Sequence, residues 1–229
     1  THLFAWQYWS LGIVAALLLF ASVLVHELGH CLVAMRYRIP IAQITLFIFG
    51  GMAQIKREAP TPRAEFLIAI AGPIVSIVLG LCFWVLAELP GAPLALVALS
   101  EHLRNINLML AIFNLVPGYP LDGGRVLRAG LWAWSKNFHK ATRYSARVGQ
   151  GFAALLMLFG VYDVVAGLEI GGVWFLLIGA FLYTAAHSTH RQVSFQESLL
   201  GLRVGDVMTT DVVMLGAGLT LDEAVDKYF

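Results

Sequence analysis

The sequence predicts an all-α polytopic membrane protein carrying one small β element, and three observations lead there. Hydrophobic residues make up 59% of the chain and charged residues only 13%, with a mean hydropathy of +0.77, which is far more apolar than a soluble domain. Apolar runs long enough to cross a bilayer recur along the chain, and about five are expected to span. The one short apolar run, residues 41–54, is rich in β-branched and aromatic residues and is interrupted by Gly50-Gly51; it reads as strand rather than span. A formal net charge of +1, with no basic stretch to track a phosphate backbone, argues against nucleic acid as a partner.

The chain begins at Thr1 without an initiator Met, as a truncated chain would. Trp6, Tyr8 and Trp9 form an interfacial aromatic belt at the entry to a first span over residues 11–35. Arg36, Arg38 and Pro40 mark its end. Inside that span lies Val25-His26-Glu27-Leu28-Gly29-His30. At helical pitch His26 and His30 share one face, so both imidazoles can reach one metal ion with Glu27 beside it, the pattern of a zinc hydrolase. Ionisable groups in hydrocarbon are costly and persist where they line a cavity, meet a partner or do chemistry. Cys31 and Cys82 sit in separate apolar runs and make no disulfide framework; they read as packing residues, with Cys31 adjoining the metal motif.

Residues 41–57 are expected to form the membrane-embedded β element. Exposed strand edges are not tolerated against lipid, so the element must be covered by protein or line a wet cavity. An interfacial loop is the alternative. If strand, its edge can pair with an extended peptide, and Phe47, Ile48, Phe49, Gly50 and Gly51 are the candidate substrate-binding residues. The next span, 63–87, carries Ala71-Gly72-Pro73, where small residues allow close helix approach and Pro removes a backbone donor. A turn over 88–93 leads to a third span, 94–116, which contains Glu101, His102, Arg104, Asn105 and Asn107. Glu101 and Arg104 stand at i, i+3 and read as a structural pair or as the wet end of a shorter helix.

Two prolines and three glycines in residues 113–125 break that helix and place Asn114 and Asp122 on irregular backbone at membrane depth, which is permitted only inside protein or facing water. Asp122 supplies a carboxylate able to complete a two-His, one-Asp zinc sphere with a fourth position open to water. Asn114 is either a donor to a developing oxyanion or a turn residue.

These motifs together resemble the site-2 protease family of intramembrane zinc metalloproteases. His26-Glu27-Leu28-Gly29-His30, Gly50-Gly51-Met52-Ala53, Ala71-Gly72-Pro73, Asn114-Leu115-Val116-Pro117 and Asp122-Gly123-Gly124-Arg125 follow the family's order and approximate spacing, strongly over residues 25–128. The resemblance implies one zinc per chain held by His26, His30 and Asp122, Glu27 as catalytic base, and Asn114 beside the active centre. Members typically have one more span before the metal helix, so one is expected to be missing at the N-terminus.

Residues 130–145 read as a basic, aromatic connector in which His139 is solvated, followed by spans over 148–166 and 172–187. Residues 1–193 are expected to form the protease domain and 194–229 a linker with an incomplete regulatory segment. Val204-Gly205-Asp206-Val207-Met208 and the residues after it, with Leu219-Thr220-Leu221-Asp222-Glu223-Ala224, resemble the opening of a cystathionine-β-synthase (CBS) domain. That resemblance implies adenine-nucleotide sensing, but only by a complete CBS domain, since so short a piece buries no core.

If the metal helix runs inward, every Lys and Arg except Arg104 falls on one side, which the positive-inside rule makes cytoplasmic. The expectation is therefore a multi-pass protein of a prokaryotic cell membrane with its zinc site toward the cytoplasm, performing regulated intramembrane proteolysis on membrane-spanning or membrane-associated proteins. Oligomers are compatible with it. The rival readings are a catalytically silent membrane scaffold, which needs no intact Glu27, and a metal-ion transporter, which predicts internal repeats that the chain lacks.

Overall fold

A computed structural model describes residues 5–47, 50–55, 58–167, 171–199 and 203–208, together with positions 218, 220, 222 and 225. Residues 1–193 form one compact unit and 194–229 a second.

The first unit opens with α1 (Ala5–Arg36), a single helix through the His-Glu motif. It stops where Arg38 takes a positive φ of 57° and the N–H groups of Tyr37, Arg38 and Ile39 donate to the carbonyls of Ala34 and Met35, satisfying the last turn. Strands β1 (Ile41–Phe47) and β2 (Gly50–Ile55) follow as an antiparallel pair with Phe47 opposite Gly50 and Thr45 opposite Met52. The register is irregular between Ile41 and Gln43, and both strands lie against α1. Ile48 and Phe49, named above as candidate substrate contacts, fall outside the described residues.

Helix α2 (Pro62–Ala87) has its first turn set by Thr61, whose hydroxyl accepts from the Ala64 N–H at 3.2 Å, and by Pro62, whose missing donor costs nothing at that position. It packs against α1, α3 (Leu94–Asn114) and α4 (Asp122–Ser135) and is the centre of the unit. Gly29 of α1 makes the α1–α2 approach close, since a Cβ there would press on Val75 and the Ala71 carbonyl. Helix α5 (Phe138–Val165) is capped by Asn137, which accepts from the Lys140 N–H at 2.9 Å, and α6 (Gly171–Leu199) is the last long helix. The stretch expected as a connector, 130–145, is thus mostly helix: α4 ends at a left-handed Lys136 (φ 55°) and α5 starts two residues later.

Four helices among the described residues are long and apolar enough to cross a membrane: Trp9–Arg36, Pro62–Ala87, Phe138–Val165 and Gly171–Thr189. The expected five are not all met on length and apolarity. Helix α3 has the length, but Glu101, His102, Arg104, Asn105 and Asn107 dilute its apolar character. The partition of side chains is that of a protein in lipid: Trp9, Leu17, Leu32, Met109 and Ile112 face outward, while His26, Glu27, His30, Glu65, Ser76, Asn107, Asp122 and Arg128 are buried.

In the second unit, Val204–Val207 makes one helical turn, α7, closed by the Arg203 N–H donating to Asp206 Oδ2 at 2.8 Å. Most of the CBS-like stretch after it lies outside the described residues.

Candidate metal centre

Helix α1 carries His26 and His30 four residues apart, so their imidazoles emerge from one face and meet edge to face with centroids 5.0 Å apart. Each ring is held by α2 through its inner nitrogen. His26 Nδ1 lies 2.8 Å from Ser76 Oγ, and His30 Nδ1 donates to the Ile68 carbonyl at 2.7 Å. Such partners fix ring orientation and leave Nε2 as the lone-pair nitrogen aimed inward, the usual support for a metal-bound imidazole.

The third side chain comes from α4. Asp122 opens that helix, where the positive end of the backbone dipole favours a carboxylate. The backbone there is packed tightly, since a Cβ at Gly123 would overlap the Leu115 and Val116 carbonyls and one at Gly124 the backbone of Gly118 and Tyr119. Ser145 Oγ donates to the Gly124 carbonyl at 2.5 Å and the Tyr119 N–H to the Ser145 carbonyl at 3.3 Å, so α5 also fixes this turn. Asp122 Oδ2 thereby lies 3.3 Å from His26 Nε2 and 3.1 Å from His30 Nε2, with the two nitrogens 3.2 Å apart.

This near-equilateral triangle fits a metal. Ligand atoms at about 2.1 Å from a tetrahedral zinc stand about 3.4 Å from one another, a few tenths wider than the edges here. Gly72 of α2 leaves the space: a Cβ added there would overlap Nε2 of both His30 and His26. The donor set of imidazole and carboxylate suits zinc. Glu27, also buried, is an alternative third ligand, because one oxygen of it lies within 4.8 Å of donor atoms on both histidines. The contacts at 3.3 and 3.1 Å place Asp122 oxygen on the triangle itself, which leaves Glu27 beside the centre.

The other expected site residues are distributed as follows. Asn114 ends α3 and is half-buried; the hydrogen bonds that tie the triangle together do not include it. Phe47 closes β1 opposite Gly50, the first residue of β2, with Gly51 next. Cys31 is buried and Cys82 exposed, both as free thiols. Sequence reasoning overlooked the supporting face of α2. Glu65, Ile68, Gly72 and Ser76 recur at spacings of three and four, all buried, and every one touches the metal helix or α4. Glu65 Oε1 accepts from Arg125 Nε at 3.1 Å and from Arg128 Nη2 at 2.5 Å. The 3.6-residue period of that stripe, with an acid inside an apolar span, was the available signal.

The model of the family described as Peptidase family M50 matches residues 14–101 and 91–158. A protein of Synechocystis sp., provisionally named a zinc metalloprotease, is 42% identical over 96% of this chain and 58% of its own length. A similarly named protein of Mycobacterium tuberculosis is 39% identical over 96% of this chain and 57% of its own. The chain therefore spans less than two thirds of these relatives. Among solved structures, the site-2 protease from Methanocaldococcus jannaschii superposes with a TM-score of 0.63 at 30% identity, covering 91% of this chain and 83% of that one.

Proposed function

This chain belongs to peptidase family M50, and from that premise we propose that it is an intramembrane zinc endopeptidase that cleaves membrane-spanning or membrane-associated proteins. The observation that carries the reading is the triangle of His26 Nε2, His30 Nε2 and Asp122 Oδ2, with edges of 3.1–3.3 Å, in a chain of membrane-spanning helices. His26, His30 and Asp122 would hold one zinc, which when bound polarises the scissile carbonyl and acidifies water at its open position. Glu27, buried beside the triangle, takes the proton from the attacking water and returns it to the leaving amine. Asn114, the last residue of α3, would supply an amide donor to the oxygen that gains charge.

A helical substrate has its carbonyls already hydrogen-bonded and must unwind before attack. We assign the β1–β2 pair, which lies against α1, as the edge that holds the unwound segment through backbone bonds, with Phe47, Ile48, Phe49, Gly50 and Gly51 as its candidate contacts. Phe47→Pro removes one donor and should slow cleavage with zinc retained; unchanged cleavage would exclude the edge. The Lys and Arg asymmetry supports a cytoplasmic placement of the centre in a prokaryotic cell membrane. A cysteine at Lys140 should then react with impermeant reagents only from the cytoplasmic side. Residues 194–229 fit a linker and the start of a CBS domain, whose nucleotide binding would need the complete domain.

The test is mass spectrometry of membranes holding either the parent or Glu27→Gln at equal zinc content. Truncated single-span proteins should appear with the parent alone. Identical fragment sets would remove the protease reading and leave the metal-binding scaffold.

A further inference from the structure

Arg125 stands three residues after Asp122 on α4, the spacing at which helical side chains are neighbours. Its Nε donates to Glu65 Oε1 at 3.1 Å, and Asp122 lies one turn earlier on the same helix. Arg128, one turn further, donates to the same Glu65 oxygen and is additionally held between the rings of Phe138, 4.9 Å away, and Tyr119, 5.6 Å away. Glu65 is only 1% exposed. Two guanidiniums thus share one carboxylate in a place with little water to solvate them.

We propose that Glu65 is a positioning residue for the metal centre: by binding Arg125 it keeps that guanidinium off Asp122 and leaves the Asp122 carboxylate free for the cation. The proposal rests on Asp122 being a metal ligand. A buried guanidinium that loses its partner is left uncompensated, and guanidinium–carboxylate pairing is strong and often two-pronged. Asp122, three residues away, is the anion on Arg125's own helix face. An Arg125–Asp122 pair would occupy the lone pairs that a metal needs. Charge acts in the same direction. Glu65 with Arg125 and Arg128 carries one net positive charge; without Glu65 the pair of guanidiniums presents two to an incoming divalent cation. Arg128, with its two aromatic contacts, is the better anchored of the two, so Arg125 is the residue released.

The experiment measures zinc affinity of the purified protein in detergent by chelator competition, with the absorption spectrum of the Co2+-substituted protein as a readout of ligand geometry. The parent should bind one zinc, and Asp122→Ala should lose most of that affinity. Glu65→Gln, with helicity unchanged, should bind zinc about 10–100-fold more weakly. The double variant Glu65→Gln/Arg125→Gln restores the original net charge and should recover both the affinity and the Co2+ spectrum of the parent. A Glu65→Gln protein with parental affinity overturns the proposal, and so does a double variant as weak as the single one, which would make Glu65 a plain structural tie. If Glu65→Gln does not fold, Arg125→Gln alone decides: it should bind zinc at least as tightly as the parent, and weaker binding overturns the proposal. Parental affinity in Asp122→Ala would instead defeat the ligand assignment beneath it.

Discussion

Helices α1 and α3 both carry polar residues inside apolar sequence, and the two sets meet opposite fates. On α1, His26, Glu27 and His30 are buried, and each imidazole has one nitrogen on α2 and one on Asp122. On α3, Glu101, His102 and Asn105 are exposed, and Arg104 donates to its neighbour Asn105 at 3.1 Å. Asn107 turns inward, to Ser22 at 3.2 Å and the Leu103 carbonyl at 2.8 Å, and Ser100 is buried as well. Polarity in an apolar helix is therefore not what marks the centre. Convergence is: residues from α1, α2 and α4 aim at one point, while those of α3 are exposed, bonded to a sequence neighbour or, for Asn107, bonded to Ser22 of α1.

The largest effect should come from Glu27→Gln. It keeps size and burial but removes the base, and cleavage should fall by about 10²–10⁴-fold with zinc retained; turnover at the parental rate would take Glu27 out of the chemistry. Next is Asp122→Ala, in which two imidazoles from one helix leave an underfilled sphere. Metal analysis should give well under one zinc per chain, and a full complement would point to Glu27 as third ligand. Ser76→Ala removes the partner that orients His26 and should cost zinc affinity about 10-fold without unfolding α2. The smallest effect is expected on α3: Glu101→Gln and His102→Ala, both exposed, should leave zinc affinity unchanged and stability within about 0.5 kcal/mol. A loss of metal in either would erase the contrast between the helices.

How much of this was legible in the sequence differs between the same two helices. The spacing of His26 and His30 fixes a shared face whatever surrounds it, and the break after Asn114 marks irregular backbone, so those parts of the centre could be read directly. Asp122 could be nominated as a carboxylate but not brought to the histidines, because that depends on the packing of Gly123 and Gly124 against the 115–119 backbone. The tie of Glu65 to Arg125 and Arg128 joins residues 60 and 63 positions apart, and no local pattern encodes it. For Glu101 and Arg104 the helical spacing left open a pair or the wet end of a shorter helix; Arg104 turns to Asn105 and Glu101 and His102 are exposed, as an exposed ion pair gains too little to dictate rotamers. Gly72 was legible only as a small residue; its place against both imidazoles belongs to the α1–α2 crossing.

The separation of the ligands along the chain also sets a schedule for biosynthesis. His26 and Asp122 are 96 positions apart, with α2 and α3 made in between. At about 5–20 residues per second, a nascent chain on the proposed ligand set carries two imidazoles without their carboxylate for roughly 5–20 s. On that reading the centre gains its last ligand only after α2 and α3 have been made.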